Sequence, residues 1–158
     1  MMRVRVTGDD FRGLGGEVLF EYRPGCVEAV RAGQDAFLRK IDELLSQPGR
    51  GRIYRRGGRV HQASAPGDPP AEDLGTYRRS FRKYPLQVRG DEVSGEAGTD
   101  DPRAVWFELG TSQMLPRPHI EEAQRAAEEA TDQAFERYEP RAGRFRGARG
   151  RFVRGLPV

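Results

Sequence analysis

The segment from residue 48 to residue 75 constrains the fold most, because no hydrophobic period of two or of about 3.6 residues runs through it. It carries five arginines and then the run Ala63-Ser64-Ala65-Pro66-Gly67-Asp68-Pro69-Pro70. An irregular loop of this length is uncommon in a small domain and is usually functional or disordered. The prolines make the run stiff and extended, so it has little entropy left to lose on docking. We therefore expect a long loop that projects from a small core.

The composition fits one small core with extended appendages. The chain has 158 residues, of which 36% are hydrophobic and 32% charged, and it contains 20 Gly and 11 Pro. This length is enough for one domain with a hydrophobic core. The glycine and proline content assigns much of the chain to loops and arms. Such segments often become ordered only on a partner.

The basic residues are almost all arginines. Of the 27 basic residues only Lys40 and Lys83 are lysines, which leaves 25 arginines against 24 acidic residues and a net charge of +3. The planar guanidinium binds carboxylates and phosphates in a bidentate manner, so arginine suits interfaces. A GC-rich genome, which favours arginine codons, explains the same bias, and the sequence does not separate the two explanations.

The cysteine count and the hydropathy exclude several classes of protein. The single cysteine, Cys26, excludes an internal disulfide and a zinc site built from thiolates of one chain. No apolar run approaches the roughly 20 residues that span a bilayer. The residues at the N-terminus lack the apolar centre of a signal peptide. We expect a protein made in a reducing cytoplasm, without a membrane partner.

The first half of the chain contains one predicted strand and two predicted helices. Met2 to Thr7 alternates arginine with valine, as a half-buried strand does. Pro24-Gly25 is expected to open a long helix that ends at Pro48-Gly49. Gln34 interrupts the apolar stripe of this helix, and Leu74 to Tyr84 is predicted to form a second, short helix. The stripe consists of Val27, Val30, Phe37, Leu38, Ile41, Leu44 and Leu45.

The second half predicts a hairpin and another long helix. Residues 85–89 and 92–97 have the pattern of two strands that turn at Gly90-Asp91. Residues 104–109 fit either a strand or one helical turn. Pro118 suits the first position of the next helix, which Pro140 stops. One face of that helix is rich in alanine, which allows another element to approach closely: Ile120, Ala123, Ala127, Ala130, Ala134 and Tyr138.

These elements predict an α+β fold, with a small, mainly antiparallel sheet packed against two long helices. Residues 1–139 form the domain, and residues 48–75 form its extended loop. Residues 140–158 contain six arginines, no acidic residue and only two aromatic residues, so they cannot build a core. We expect them to form a basic C-terminal arm.

No catalytic motif is present in the sequence. His61 and His119 are the only histidines, and neither stands in a nucleophile motif or at metal-ligand spacing. The acidic pairs Asp100-Asp101 and Glu121-Glu122 are adjacent residues, whose side chains do not face each other as acid–base partners must. The glycines at 13–16 are not followed by the Lys and Ser or Thr of a phosphate loop. We expect no enzyme activity, no cofactor and no metal site.

The arginine-rich segments have two interpretations. Together with Tyr54 and the aromatic residues of the tail, they combine positive charge with planar groups that stack on nucleic-acid bases. The 24 acidic residues make the alternative, contact with acidic patches on neighbouring subunits, the better supported one. The candidates to face DNA are Arg50, Arg52 and Arg59.

Two blocks of residues resemble a known family. The run Ala63 to Ala71 followed by Leu74-Gly75-Thr76-Tyr77-Arg78-Arg79-Ser80-Phe81 is similar to a stretch of the form S-A-P-G-x-P-P … T-G-x-L-x-x-S-I. Trp106-Phe107-Glu108-Leu109-Gly110-Thr111, then Met114 and Pro116-Arg117-Pro118-His119, is similar to Y-x-E-F-G-T … M-x-A-R-P-F. Both stretches belong to the neck, or head–tail joining, proteins of tailed bacteriophages, which include tail components of the lambdoid gene-ten type.

The resemblance covers roughly residues 2 to 139 and has two departures. Leu74-Gly75-Thr76 stands where the family usually has Thr-Gly, and His119 replaces a usual Phe. The arginine-rich tail after Pro140 is not part of the family pattern, so its role does not follow from the resemblance.

The resemblance implies a structural virion protein, located in the neck and tail region and assembled in the host cytoplasm. It implies a ring of identical copies with six-fold or twelve-fold symmetry, closed by a heterologous interface. The expected partners are further copies, the adjoining connector or stopper, the tail terminator or tail tube proteins, and double-stranded DNA in the bore. The alternatives are a tail terminator or tail-completion protein and, outside phage structure, a small basic nucleic-acid-binding protein.

Side chains in the irregular segments are the candidates for assembly contacts. Arg117 is close enough in sequence to pair with Glu108, although two solvated charges would explain the same residues. The remaining candidates are Arg55, Arg56, Pro66, Pro69, Pro70, Arg78, Arg79, Arg144, Arg146 and Arg151.

Overall fold

The computed structural model describes residues 2–7, 16–89, 92–137 and 151–153. The predicted mixed α+β class is confirmed, with three helices and two small antiparallel sheets in these residues. The elements in chain order are β1 (Met2–Thr7), α1 (Gly16–Leu45), β2 (Ile53–Arg56), β3 (Arg59–Gln62), a 3-10 helix (Arg78–Ser80), β4 (Arg82–Lys83), β5 (Gln87–Arg89), β6 (Glu92–Thr99), α2 (Arg103–Leu109), α3 (Ile120–Glu136) and β7 (Arg151–Val153).

The larger sheet is built around β6. Strand β1 pairs with β6 along its whole length, with Val4 opposite Ala97. On the other side of β6, β5 pairs with its first half and β4 with its second half, so that Val88 lies opposite Val93. The β5–β6 pairing agrees with the predicted hairpin, whose turn at residues 90–91 lies outside the described residues. The alternation of Met2 to Thr7 correctly predicted β1.

Helix α1 begins earlier than predicted. It starts at Gly16, and Pro24 lies inside it. The expectation that Pro24-Gly25 opens the helix is therefore wrong. The ring of Pro24 has the φ of a helix, but inside α1 it removes one backbone hydrogen bond and crowds the preceding turn. The helix ends at Leu45, shortly before Pro48-Gly49. Its stripe is buried against β6 and α3 as the pattern predicted, with Phe37 and Ile41 each 1% exposed.

Gln34 does not interrupt the buried stripe of α1. Its side chain is buried, and Nε2 donates hydrogen bonds to the carbonyl oxygens of Tyr84 at 3.0 Å and Glu96 at 2.8 Å. A buried amide is stable only when it is hydrogen-bonded, and these two bonds satisfy both of its protons. Gln34 therefore fastens α1 to the sheet.

Helices α1 and α3 approach each other closely at Gly33. A Cβ on Gly33 would overlap the Thr131 hydroxyl and lie 3.2 Å from the Ala127 carbonyl oxygen. The alanine-rich face of α3 therefore permits the close approach that the sequence predicted. In this turn of α3 the buried residue is Thr131, where the sequence predicted Ala130. Burial of the Thr131 hydroxyl is tolerated because it donates to the Ala127 carbonyl oxygen at 2.8 Å.

The expectation that segment 48–75 is an irregular loop throughout is wrong. Strands β2 and β3 form an antiparallel hairpin that turns at Gly57-Gly58, where φ is 54° and 81°. Two glycines with positive φ are the residues that a two-residue hairpin turn requires. Both faces of the hairpin carry exposed residues. Its strands therefore do not alternate apolar and polar residues, which is the pattern that would have predicted them.

The predicted helix over Leu74 to Tyr84 is also wrong. Gly75 has a φ of 70°, which breaks a helix, and only Arg78–Ser80 forms a single 3-10 turn. The next residues pair with β6 as strand β4. Tyr77 and Phe81 still pack into the core, as their spacing predicted, whereas Leu74 is exposed.

The remaining boundaries settle three further expectations. Residues 103–109 are helical, not a strand, and Gly110 ends α2. Helix α3 begins at Ile120, so Pro118 precedes the helix and does not occupy its first position. Within the predicted C-terminal arm, β7 pairs with Arg5 to Thr7 of β1, and the other residues after Arg137 lie outside the described part.

Candidate functional site

The two blocks that carry the family resemblance meet at one cleft of about 300 Å³. The proline-rich loop lies on one side, contributing Ser64, Pro70 and Leu74. Helix α2 and the segment after it lie on the other side, contributing Phe107 and Arg117. Residues separated by about forty positions in the chain therefore form one continuous structural unit.

Arg117 fastens the proline-rich loop to the body. Its Nη1 donates to the Ser64 carbonyl oxygen at 2.6 Å, to the Ser64 hydroxyl, and to the Ala65 carbonyl oxygen at 3.5 Å. The backbone N–H of Gly67 also donates to the Pro116 carbonyl oxygen at 3.2 Å. The predicted pair between Arg117 and Glu108 is wrong, because the guanidinium is closer to the loop carbonyls.

Glu108 instead caps helix α3. Its carboxylate accepts hydrogen bonds from the backbone N–H groups of His119 and Ile120, both at 3.1 Å, and of Glu121 at 3.3 Å. The first N–H groups of a helix have no partner within the helix, and a carboxylate there also complements the helix dipole. Sequence reasoning did not find this role, since the cap comes from a residue eleven positions upstream.

His119 is fully buried beneath this cap. Its Nδ1 lies 2.9 Å from the Arg117 carbonyl oxygen, which can only accept, so Nδ1 carries the proton. Nε2 therefore accepts the hydroxyl proton of Tyr77 across 2.6 Å. Burial lowers the pKa of His119, although the Arg117 carbonyl and the charge of Glu108 act in the opposite direction. Burial, followed by the charges of Glu108 and Asp101, raises the pKa of Tyr77.

The Tyr77–His119 pair sits in an aromatic cluster. The Tyr77 ring packs edge-to-face against Phe81 at 5.2 Å and Phe107 at 5.1 Å between centroids. These distances are typical of favourable aromatic pairs. A neutral histidine that is hydrogen-bonded on both nitrogens and surrounded by rings is part of the core.

The other titratable candidates form ordinary pairs. His61 lines the cleft with its Nδ1 4.0 Å from an Asp73 carboxylate oxygen. Arg103 pairs with Asp101 at 2.6 Å and lowers the pKa of that carboxyl. The other three carboxylates pair with cations too: Asp100 with Arg82, Glu121 with Arg125, and Glu122 with Lys40. Within the described ranges, no group of three His, Cys, Asp or Glu side chains could hold a metal ion.

Several assembly candidates are held within the chain. Arg78 donates to Asp42 at 3.0 Å and to the Ser46 hydroxyl at 2.8 Å, and its Nε lies 3.4 Å from Glu72. Arg79 donates to the Leu74 carbonyl oxygen at 2.8 Å and is otherwise exposed. Of the three prolines, Pro66 is exposed, Pro69 is half-buried and Pro70 is buried.

The β2–β3 hairpin is the most exposed part of the site. Arg52, Arg55 and Arg59 all point to solvent, and the Arg52 guanidinium lies 5.5 Å from the centroid of the Tyr54 ring. Arg56 lies opposite Arg59 in the ladder. At the base of the hairpin, the Nε of Arg50 is 3.9 Å from Asp68.

Apolar side chains accompany these arginines. Ile53 is 58% exposed and Val60 is 66% exposed. The strand register places both on one face of the hairpin, with Arg55 between them, whereas Tyr54 and His61 lie on the other face. Sequence reasoning missed this face, although the Gly57-Gly58 pair signals the hairpin. A second group of exposed apolar residues lies on and after α2: Trp106, Leu109 and Leu115.

Three candidates lie in the C-terminal arm. Arg144 and Arg146 are outside the described residues. Arg151 is the first residue of β7 and lies opposite Thr7 of β1.

Helices in the described ranges are too short or too polar to cross a membrane. Comparisons with protein-family models, with curated proteins and with solved structures found no match to this chain.

Proposed function

We propose that this protein is a structural subunit of a tailed-phage virion that forms a ring in the neck. The ring joins the portal side of the capsid to the tail and lets DNA pass through its bore. In this proposal the chain is not an enzyme, and its contacts are with further copies of itself, with the adjoining connector or stopper, and with tail terminator or tail tube proteins. In this proposal the basic C-terminal arm, apart from β7, which pairs with β1 of its own chain, reaches an adjoining subunit.

The observation that carries the proposal is the packing of the two resemblance blocks against each other. Arg117 of the second block holds the carbonyl oxygens of Ser64 and Ala65 in the first block, and Tyr77 of the first block holds His119 of the second. Chance matches in separate parts of a chain have no reason to interlock in this way. The packing of the two blocks therefore supports the resemblance on which the proposed role rests.

The exposed hairpin gives independent support. Large apolar side chains beside arginines with which no carboxylate of the described residues pairs, here Arg55 and Arg59, are typical of surfaces that bind another protein. An extended projection suits a subunit whose neighbours surround it.

The native mass of the purified full-length protein tests the proposal. We expect a closed ring of six or twelve copies by native mass spectrometry and by negative-stain electron microscopy, and we expect the ring to join capsids or tails in extracts of the phage. A protein that stays monomeric alone and in both extracts would contradict the proposal. Joining to tails alone would favour the tail terminator or tail-completion alternative.

One observation favours a second candidate, a nucleic-acid-binding protein. Arg52 stacked on the exposed ring of Tyr54 presents a cation and two planar groups, as single-stranded nucleic-acid sites do. This candidate requires a monomer whose affinity for DNA falls steeply with salt, because each phosphate contact releases counterions. Tight, salt-sensitive binding by a monomer would establish it in place of the neck ring.

A further inference from the structure

We infer that the tip of the β2–β3 hairpin, residues 55–60, docks onto helix α3 of the next copy in the ring. The inference rests on the proposed ring, and it assigns the two surfaces that hold neighbouring copies together. Both surfaces belong to the same chain but lie on different elements, which is the requirement for a head-to-tail interface that closes into a ring.

The hairpin tip stands free of the body. A Cβ on Gly57 or Gly58 would have no atom within 4 Å. Arg55 and Arg59 are exposed, and no carboxylate in the described part of the chain pairs with either of them. No acidic residue occurs between Gly49 and Gly67, so the local charge is wholly positive.

Helix α3 carries the opposite charge. Six of its residues are acidic and only Arg125 is basic. Glu129, Asp132 and Glu136 follow one another at spacings of three and four residues, so they form one exposed row about 10 Å long. This row points away from α1, since the opposite face of α3, with Ala127 and Thr131, is the buried one.

An alanine-lined groove beside the acidic row can receive the apolar part of the hairpin. Ala36 of α1 and Ala126 and Ala130 of α3 line it, with Glu129 at its edge. Two cations also line the groove. Lys40 is neutralised by Glu43 and Glu122, each at 3.0 Å. Arg39 in the groove and Arg137, which directly follows Glu136, are like charges that an incoming hairpin meets.

A second copy of the chain is therefore the occupant that fits the hairpin best. In the docked arrangement Arg55 and Val60, which share one face of the hairpin, meet the Glu129 carboxylate and the alanines. The long side chain of Arg59 reaches Glu136 from the opposite face. Guanidinium–carboxylate pairs of this kind are short and directional, so they fix the rotation between neighbours. Every copy offers one tip and one helix, so the contact is head-to-tail, and it closes into a ring when the rotation between neighbours divides a full turn.

Charge reversal on each surface tests the inference. The hairpin variant is Arg55→Glu with Arg59→Glu, and the helix variant is Glu129→Arg with Glu136→Arg. A matched control, Arg31→Glu with Arg89→Glu, changes two exposed arginines elsewhere. The control and the hairpin variant both shift the net charge from +3 to −1, because two positive charges become two negative ones. Native mass and circular dichroism are measured for each variant.

We expect the hairpin variant and the helix variant each to lose the ring mass completely while keeping the wild-type circular dichroism, and the control to keep the ring. An equimolar mixture of the two reversed variants should regain the ring with the copies alternating, since each acidic tip then meets a basic helix. A single chain with all four substitutions should also form rings.

Rings formed by either reversed variant alone, or a mixture that stays monomeric, would overturn the inference and leave the proposed function standing. Reversed variants that form rings but no longer join tails or capsids would assign the hairpin to an adjoining layer, which also overturns it. Failure of the wild-type protein to form a ring, in contrast, would remove the proposed function itself.

Discussion

At the scale of single residues, His119 and Tyr77 decide how the two halves of the site are joined. The imidazole bonds the Arg117 carbonyl through Nδ1 and the Tyr77 hydroxyl through Nε2, and it is fully buried. A polar ring therefore occupies a position inside an aromatic cluster. The polar ring is tolerated there because both ring nitrogens have partners. Because an unpaired polar group is costly in the interior, removing either partner of this buried pair should lower the stability of the fold.

Replacing Tyr77 by Phe should therefore destabilise the fold although only one oxygen is removed. Nε2 of His119 would remain buried without a donor, which costs about 1–3 kcal/mol in the free energy of unfolding. The control is Tyr84→Phe, since the Tyr84 hydroxyl donates to Asp100 at an exposed site. Urea unfolding of both variants checks the prediction. Equal losses in the free energy of unfolding would mean that the buried hydrogen bond contributes no more to stability than the exposed one.

The lowered pKa of His119 also predicts a pH dependence. The unfolded chain binds a proton on this histidine below its ordinary pKa of 6.5, whereas the folded chain resists it because of burial. The unfolded state then binds more protons, so stability falls as the pH decreases from about 7 to about 5.5. The slope contributed by one histidine is at most about 1.4 kcal/mol per pH unit.

The His119→Phe variant is the control for this titration. It keeps an aromatic ring at this position and removes the ionisable group. Urea unfolding at several pH values should give a shallower slope for this variant than for the wild-type protein. The same slope in both would show that other groups cause the pH dependence.

At the scale of elements, the sequence predicted those parts whose apolar residues repeat with one period. The alternation of Arg3, Val4, Arg5 and Val6 predicted β1, and the stripe that contains Phe37 and Ile41 predicted the buried face of α1. The hairpin β2–β3 escaped because neither of its faces is buried, so its strands carry no alternating apolar signal. Pairing in the backbone and a Gly-Gly turn specify it instead.

Long-range contacts account for the other differences. Arg82-Lys83 forms a strand because its backbone pairs with the edge of β6. The local sequence pattern does not predict this pairing. Arg117 bonds loop carbonyls more than fifty residues away, and Glu108 caps a helix, so neither role can be read from their spacing. The sequence indicated that these residues matter but not which atoms they meet.

The contact between α1 and α3 allows a direct test of close packing. Gly33→Ala raises the helix propensity of α1 by roughly 1 kcal/mol, which on its own would stabilise the protein. The new Cβ, however, would overlap the Thr131 hydroxyl, and overpacking of this kind costs about 1–3 kcal/mol. We expect a net loss in the free energy of unfolding.

A double-mutant cycle with Thr131→Ala separates the two effects. Removing the hydroxyl makes room for the new methyl group, so the pair of substitutions should be less destabilising than the sum of the single ones. Urea unfolding of the four proteins gives the coupling. Strict additivity would show that the helices separate freely and that Gly33 is not a packing constraint.

At the scale of the whole molecule, charge is distributed unevenly although the total is near neutral. The hairpin segment is basic, helix α3 is acidic, and the net charge is only +3. A near-neutral total suits the proposed ring, whose bore would pass DNA without binding it tightly, while separated charges of opposite sign suit the proposed contacts between copies. Exposed ion pairs are individually weak and are screened by salt. Assembly and folding should thus respond differently to ionic strength.

We therefore expect the ring to dissociate as NaCl is raised from about 0.1 M to about 1 M, where the screening length falls from about 10 Å to about 3 Å. The free energy of unfolding of the monomer should change far less over this range, because the core is apolar and its polar pairs are buried. Analytical ultracentrifugation follows the ring, and urea unfolding of the non-assembling hairpin variant follows the fold. The four-substitution chain, whose pairs are inverted but equal in number, should show the same salt dependence as the wild-type ring. A wild-type ring that is unchanged at the highest salt would mean that apolar contacts, such as those of Trp106 and Leu109, hold the copies together in place of the hairpin arginines.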